Sequence, residues 1–96
     1  MIKVLQLNMQ QSRTADHLLP QLAVEKEADV LLLSEQYKNK QSPSWVYDTT
    51  STAAIWITGL GSVPILSHGA GNGFVWVRSK EVSFFSCYLT PNQSIA

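Results

Sequence analysis

The chain has 96 residues, enough for one domain and one principal core. Seven Lys and Arg balance seven Asp and Glu, so the formal net charge is zero, which excludes a strongly basic nucleic-acid-coating protein but not a local charged patch. With 45% hydrophobic and 15% charged residues the composition is globular, and the low charge implies that much of the surface is meant to be covered.

In chain order, residues 2–8 read as a strand, apolar at Ile2, Val4, Leu5 and Leu7 and ending at Asn8. A polar stretch, 10–14, leads into a helix with Thr14 as the expected N-cap and Asp16 in the first turn, where a carboxylate suits the helix dipole. Ala15, Leu18, Leu19, Leu22 and Ala23 recur at helical spacing and define one apolar face. Pro20 is placed early enough for its missing N–H to fall in the first turns. Asp29 then introduces Val30-Leu31-Leu32-Leu33-Ser34-Glu35, a strand apolar on both faces, as in parallel sheets covered by helices. Strand, helix and strand make a βαβ unit, expected with a right-handed crossover.

Residues 36–52 are polar and aromatic and read as a long loop. Ala53–Ile57 reads as a short strand ended by Gly59-Leu60-Gly61, and 63–66 as a Pro-limited edge piece. Gly69–Gly73 reads as a turn, and the segments 74–78 and 82–88 as an antiparallel hairpin. One helix and about five strands leave one sheet face and at least one sheet edge without a cover. No apolar run approaches the roughly 20 residues that span a bilayer, so no membrane partner is expected. The single cysteine, Cys87, forms no internal disulfide and fits a reducing, intracellular compartment; its apolar strand predicts a buried, inert thiol.

Chemistry is sought where the parallel strands end, because ligands of such units bind outside the carboxyl ends of the strands. Asn8 ends the first strand and Glu35 the second, and a carboxylate beside an amide is a hard-oxygen pair suited to Mg²⁺ and a phosphate. The plain alternative is that Asn8 opens a turn and Glu35 is a solvated strand end. The glycine stretches lack the following helix that a phosphate loop needs and read as turns. His17 and His68 have no metal-spaced partners and read as structural or solvated. Trp56 and Trp76 suit sheet packing, whereas Trp45 and Tyr47, in the long loop, suit either a stacked ligand or packing at the edge of the core.

The segments Val4-Leu5-Gln6-Leu7-Asn8 and Ala28-Asp29-Val30-Leu31-Leu32-Leu33-Ser34-Glu35-Gln36-Tyr37 resemble the endonuclease/exonuclease/phosphatase superfamily. Ala53–Ile57, Gly73–Val77 and Ser86-Cys87-Tyr88-Leu89-Thr90-Pro91-Asn92 narrow the resemblance to the N-terminal endonuclease domain of non-LTR retrotransposons, of the arthropod R1/TRAS type. It implies an α/β fold, a partial four-layered sandwich of the DNase I-like kind, in which an N-terminal βαβ unit is followed by antiparallel strands. Residues 1–96 would be the N-terminal portion of the domain, with the C-terminal half absent, and such a piece is expected to fold weakly alone.

By the same resemblance Glu35 would hold Mg²⁺ or Mn²⁺, with Asn8 assisting at the metal and phosphate. Tyr88 would contact the scissile phosphate and Asn92 would support that edge. The implied activity is target-site nicking of DNA, in the nucleus for an active element. Three departures stand out: two residues rather than one separate Tyr88 from Pro91, Gln36 stands where many relatives have Pro, and the later Asp-x-Asn and Ser-Asp-His motifs do not occur. Without the water-orienting Asp and the catalytic His of those motifs, the chain by itself is expected to be inactive. Two rival readings are a phosphatase or phosphodiesterase of the same superfamily and a non-catalytic piece that self-associates through an uncovered sheet.

Overall fold

The computed structural model describes residues 2–36, 42, 44–50, 52–58, 63–80 and 82–87. The elements run β1 (Val4–Asn8), α1 (Arg13–Glu25), β2 (Val30–Ser34), β3 (Trp45–Tyr47), β4 (Ala53–Ile57), β5 (Ser67–Gly71), β6 (Phe74–Arg78) and β7 (Ser83–Cys87). They form two sheets, with strand orders β1-β2-β4-β3 and β5-β6-β7. β1 and β2 pair in parallel, Val4 opposite Val30 and Asn8 opposite Ser34, as the βαβ reading expects. β4 pairs antiparallel with both β2 and β3, so the first sheet is mixed.

Alternation along the strands builds two apolar layers. Val30, Ala53, Ile55 and Ile57 face Val75, Val77 and Phe84 of the second sheet. Leu31, Leu33 and Ala54 turn the other way and meet Leu19 and Ala23 of α1. The first sheet is therefore covered on both faces, by α1 and by the second sheet. This corrects the expectation of one sheet with a bare face. Uncovered apolar surface lies instead on the outside of the second sheet, where Phe85 is 64% exposed and Phe74 also reaches solvent. A buried Ser86 hydroxyl donates to the Leu33 carbonyl at 2.9 Å and ties β7 to β2.

The helix begins two residues earlier than expected. Ser12, in extended conformation, is the N-cap, and its hydroxyl accepts from the Ala15 amide at 3.1 Å. Thr14 thus lies in the first turn, with Asp16. The earlier start leaves Pro20 in the helix interior, not in its first turns. There it removes the N–H that would bond the carbonyl four residues back. Replacing exposed Pro20 by Ala should therefore stabilise the chain by about 2 kcal/mol, the helix-interior cost of Pro less its restriction of the unfolded chain. A urea midpoint unchanged or lowered in Pro20→Ala would refute this. The helix ends with Glu27 in the left-handed region at φ 53° and the Ala28 amide on the Ala23 carbonyl at 2.9 Å.

Two strands fall where none was expected. β3 lies inside the supposed loop 36–52, and Trp45 stacks on Trp56 with centroids 5.4 Å apart, so Trp45 is packing and not a ligand platform. β5 occupies most of the supposed turn 69–73; the turn itself is Asn72-Gly73, with Gly73 at φ 83°. A side chain at Gly69 would not fit, because a Cβ there would sit 2.7 Å from the Trp76 indole. Residues 63–66 are irregular, though Val63 and Ile65 still pack against the core between the sheets. Cys87 is exposed, because the register that buries Phe84 and Ser86 turns Ser83, Phe85 and Cys87 outward.

Candidate functional site

The site is built where β1 and β2 end together. Because the pair is parallel and in register, Asn8 and Glu35 leave the sheet at the same edge. Asn8 is exposed, and its Oδ1 accepts from the Gln10 amide at 2.9 Å. Asn8 thus does open a turn, and the second lone pair of Oδ1 is left for another partner. Gln10 and Gln11 follow at φ 52° and 54°, both left-handed. An apolar groove of about 330 Å³ between β1 and α1 is lined in part by Leu7, Asn8, Met9, Leu18 and Leu22.

Glu35 is half-buried, and it too takes a left-handed backbone, φ 51°. A non-glycine residue there costs of order 1–3 kcal/mol, and such strain concentrates at working sites. Hydrogen bonds on both sides hold it. The Glu35 amide donates to the Thr52 carbonyl at 2.8 Å, and the Gln11 amide donates to the Glu35 carbonyl at 2.7 Å. Next along the chain, buried Gln36 donates from its amide to the Ala53 carbonyl at 3.2 Å. The plain alternative therefore holds in part for Asn8, while the Glu35 backbone is fixed and its side chain stays half-exposed.

Behind this edge stands Asp48, which sequence reasoning passed over. It is 3% exposed, between β3 and β4. Its Oδ1 accepts from the Thr52 amide at 2.7 Å and the Ala53 amide at 3.1 Å. Its Oδ2 accepts from the Thr50 hydroxyl, from the Thr52 hydroxyl at 2.9 Å and from the Gly73 amide at 2.9 Å. Burial by itself would raise its pKa; the donors from Thr50, Ala53 and Thr52 outweigh that and lower it from 3.8 to about 2. The Gly73 bond crosses between the sheets, so the carboxylate ties the β3–β4 connection to the β5–β6 turn. The run Asp48-Thr49-Thr50 is the sequence signal for such a side-chain-capped turn.

The donor set at the strand ends is hard oxygen, a carboxylate and an amide, which suits a divalent cation that keeps most of its waters. Among the described residues no three His, Cys, Asp or Glu side chains gather to enclose a metal. His17 lies exposed on α1 and exposed His68 on β5, neither at this edge. Tyr88 and Asn92, the other two expected site residues, lie outside the described residues, as does Tyr37. No helix among the described residues is long and apolar enough to cross a membrane.

No family model matches this sequence, and no curated protein matches it. Among solved structures the chain is similar to the endonuclease domain of TRAS1, a telomere-specific non-LTR retrotransposon, with a TM-score of 0.75 at 21% identity. The match covers 97% of this chain and 47% of that one, so the chain spans about half the length of its structural neighbour. The likeness is one of fold: mixed α/β, with the described residues supplying three layers of a partial DNase I-like sandwich.

Proposed function

We propose that the chain is the N-terminal portion of a Mg²⁺-dependent DNA endonuclease domain, with Glu35 as its metal-holding carboxylate. The observation that carries the reading is the left-handed, doubly hydrogen-bonded Glu35 beside Asn8 at the parallel strand ends. The fold similarity to a retrotransposon endonuclease domain supports it. In this reading the Glu35 carboxylate would hold the cation, the second lone pair of Asn8 Oδ1 would accept from one of the cation's waters, and the Asn8 side-chain NH₂ would donate to a phosphate oxygen. A divalent ion so held supplies charge neutralisation at the phosphoryl group and the leaving oxygen. Tyr88 and Asn92 are assigned by resemblance to the phosphate side. No described side chain is placed to serve as general base, so nicking by the chain alone is not expected.

The test is Mn²⁺ binding by the 96-residue chain, read by electron paramagnetic resonance, with Glu35→Gln beside it. Binding should weaken at least tenfold in Glu35→Gln while the far-UV spectrum is unchanged. Equal binding in the two proteins sinks the metal assignment. Plasmid nicking above the variant's level would overturn the expected inactivity, and cleavage of small phosphate esters instead of plasmid would favour the phosphatase reading.

Self-association is a second reading, favoured by exposed Phe74 and Phe85 on the outer face of the β5-β6-β7 sheet. A strictly monomeric sedimentation profile would set it aside.

A further inference from the structure

We infer that Asp48 is a positioning residue for Glu35, acting through the backbone of Thr52; the inference rests on the metal-site reading above. Thr52 stands between the two carboxylates. Its amide and hydroxyl donate to Asp48 at 2.7 and 2.9 Å, and its carbonyl accepts the Glu35 amide at 2.8 Å. The Asp48 carboxylate fixes the Thr52–Ala53 peptide from one side, and Glu35 and Gln36 read that same peptide segment from the other, through the Thr52 and Ala53 carbonyls. The left-handed backbone of Glu35 carries strain that its hydrogen-bond partners must offset. The Thr52 carbonyl is one of two backbone partners that do so here, and Asp48 is what holds that carbonyl in place. The anchoring is stiff because Asp48 is buried and is bonded as well to the Gly73 amide of the other sheet.

The geometry separates this role from general support of the fold. An asparagine at 48 keeps an oxygen for the Thr52 and Ala53 amides, and the Thr50 and Thr52 hydroxyls can turn to accept from its NH₂. Only the Gly73 amide loses its acceptor. Asp48→Asn should therefore spare the arm that reaches Glu35, whereas Asp48→Ala removes it.

Amide hydrogen exchange on the whole chain reads the arm directly, with the Leu31 amide in the core of β2 as the internal reference. In Asp48→Ala the Glu35 amide should exchange at least tenfold faster relative to Leu31, and Mn²⁺ affinity should fall at least tenfold. In Asp48→Asn both should stay within about threefold of wild type. Should Asp48→Ala fail to fold, Thr52→Val deletes the hydroxyl that ties Thr52 to Asp48 and to the Thr50 hydroxyl, and keeps the Thr52 amide. It should speed Glu35 exchange about threefold with Leu31 unchanged. Equal acceleration of Glu35 and Leu31 in Asp48→Ala, or no change at Glu35 in Thr52→Val, overturns the inference. Wild-type protein that binds no Mn²⁺ defeats the metal-site reading instead, and the exchange ratio then still decides whether Asp48 holds the Glu35 backbone.

Discussion

Asp48→Ala should destabilise the chain by about 3–5 kcal/mol, more than any other single polar substitution in the described residues. The substitution leaves three backbone amides, of Thr52, Ala53 and Gly73, without their acceptor. An unsatisfied buried donor costs about 1–3 kcal/mol, and water can reach the half-buried Thr52, which keeps the total below the simple sum. The same residue makes stability depend on acid. Its carboxyl is lowered from 3.8 to about 2 in the fold, so the folded chain takes up the proton less readily than the unfolded one. That contribution is fully present above pH 4 and is lost as pH falls toward 2; nearly two units correspond to about 2 kcal/mol. Urea unfolding from pH 6 to pH 2 should show a steeper loss for wild type than for Asp48→Ala. Parallel curves for the two proteins would refute the assignment.

Ile55→Ala should cost about 4 kcal/mol, in the upper half of the 2–5 kcal/mol range for such truncations. Ile55 is 0% exposed at the centre of β4, between Leu32 and Val46 across the sheet. Val75, Val77 and Phe84 of the second sheet belong to the same cluster. Ile55 is held between neighbours in its own sheet and the facing second sheet, so the vacated volume persists as a cavity. Val82→Ala, at an exposed position just before β7, is the control and should change stability by no more than about 0.5 kcal/mol. Urea midpoints measure both, and a cost below about 1.5 kcal/mol for Ile55→Ala would show that the two sheets do not pack as described.

How much of this was legible beforehand follows from side-chain periodicity. The doubly apolar run of β2, the apolar face of α1 and the alternation of β6 and β7 each announce their element. β3 is three residues long, too short to alternate convincingly, and it sits among polar neighbours. β5 is Ser-His-Gly-Ala-Gly, with almost no side-chain pattern; its backbone is recruited by pairing with β6, whose aromatic rings lie across the glycines. With two strands unseen, the second sheet was unseen too, and the first was credited with a bare face. Among the site residues, Asn8 and Glu35 could be placed because strand ends are readable. Asp48 was missed because its role depends on Gly73, 25 residues away and in the other sheet. The outward thiol of Cys87 was missed because a one-residue choice of strand face is not fixed by an apolar run.

The parallel pairing of β1 with β2 also has a kinetic meaning. Val4 and Val30 meet only after the chain between them has closed and α1 has formed, whereas β5 and β6 are joined by the two-residue turn Asn72-Gly73. Closing the longer loop costs more entropy before any contact repays it, so the two-residue hairpin forms first and β1 docks late. Late docking at an exposed sheet edge also means early release: β1, with Val4, Gln6 and Asn8 in solvent, belongs to the least protected part of the first sheet. The Asn8 tip therefore works at the loose end of the stability range beside a firmly held Glu35, and whatever binds across the two strand tips would also hold the last-formed strand in place.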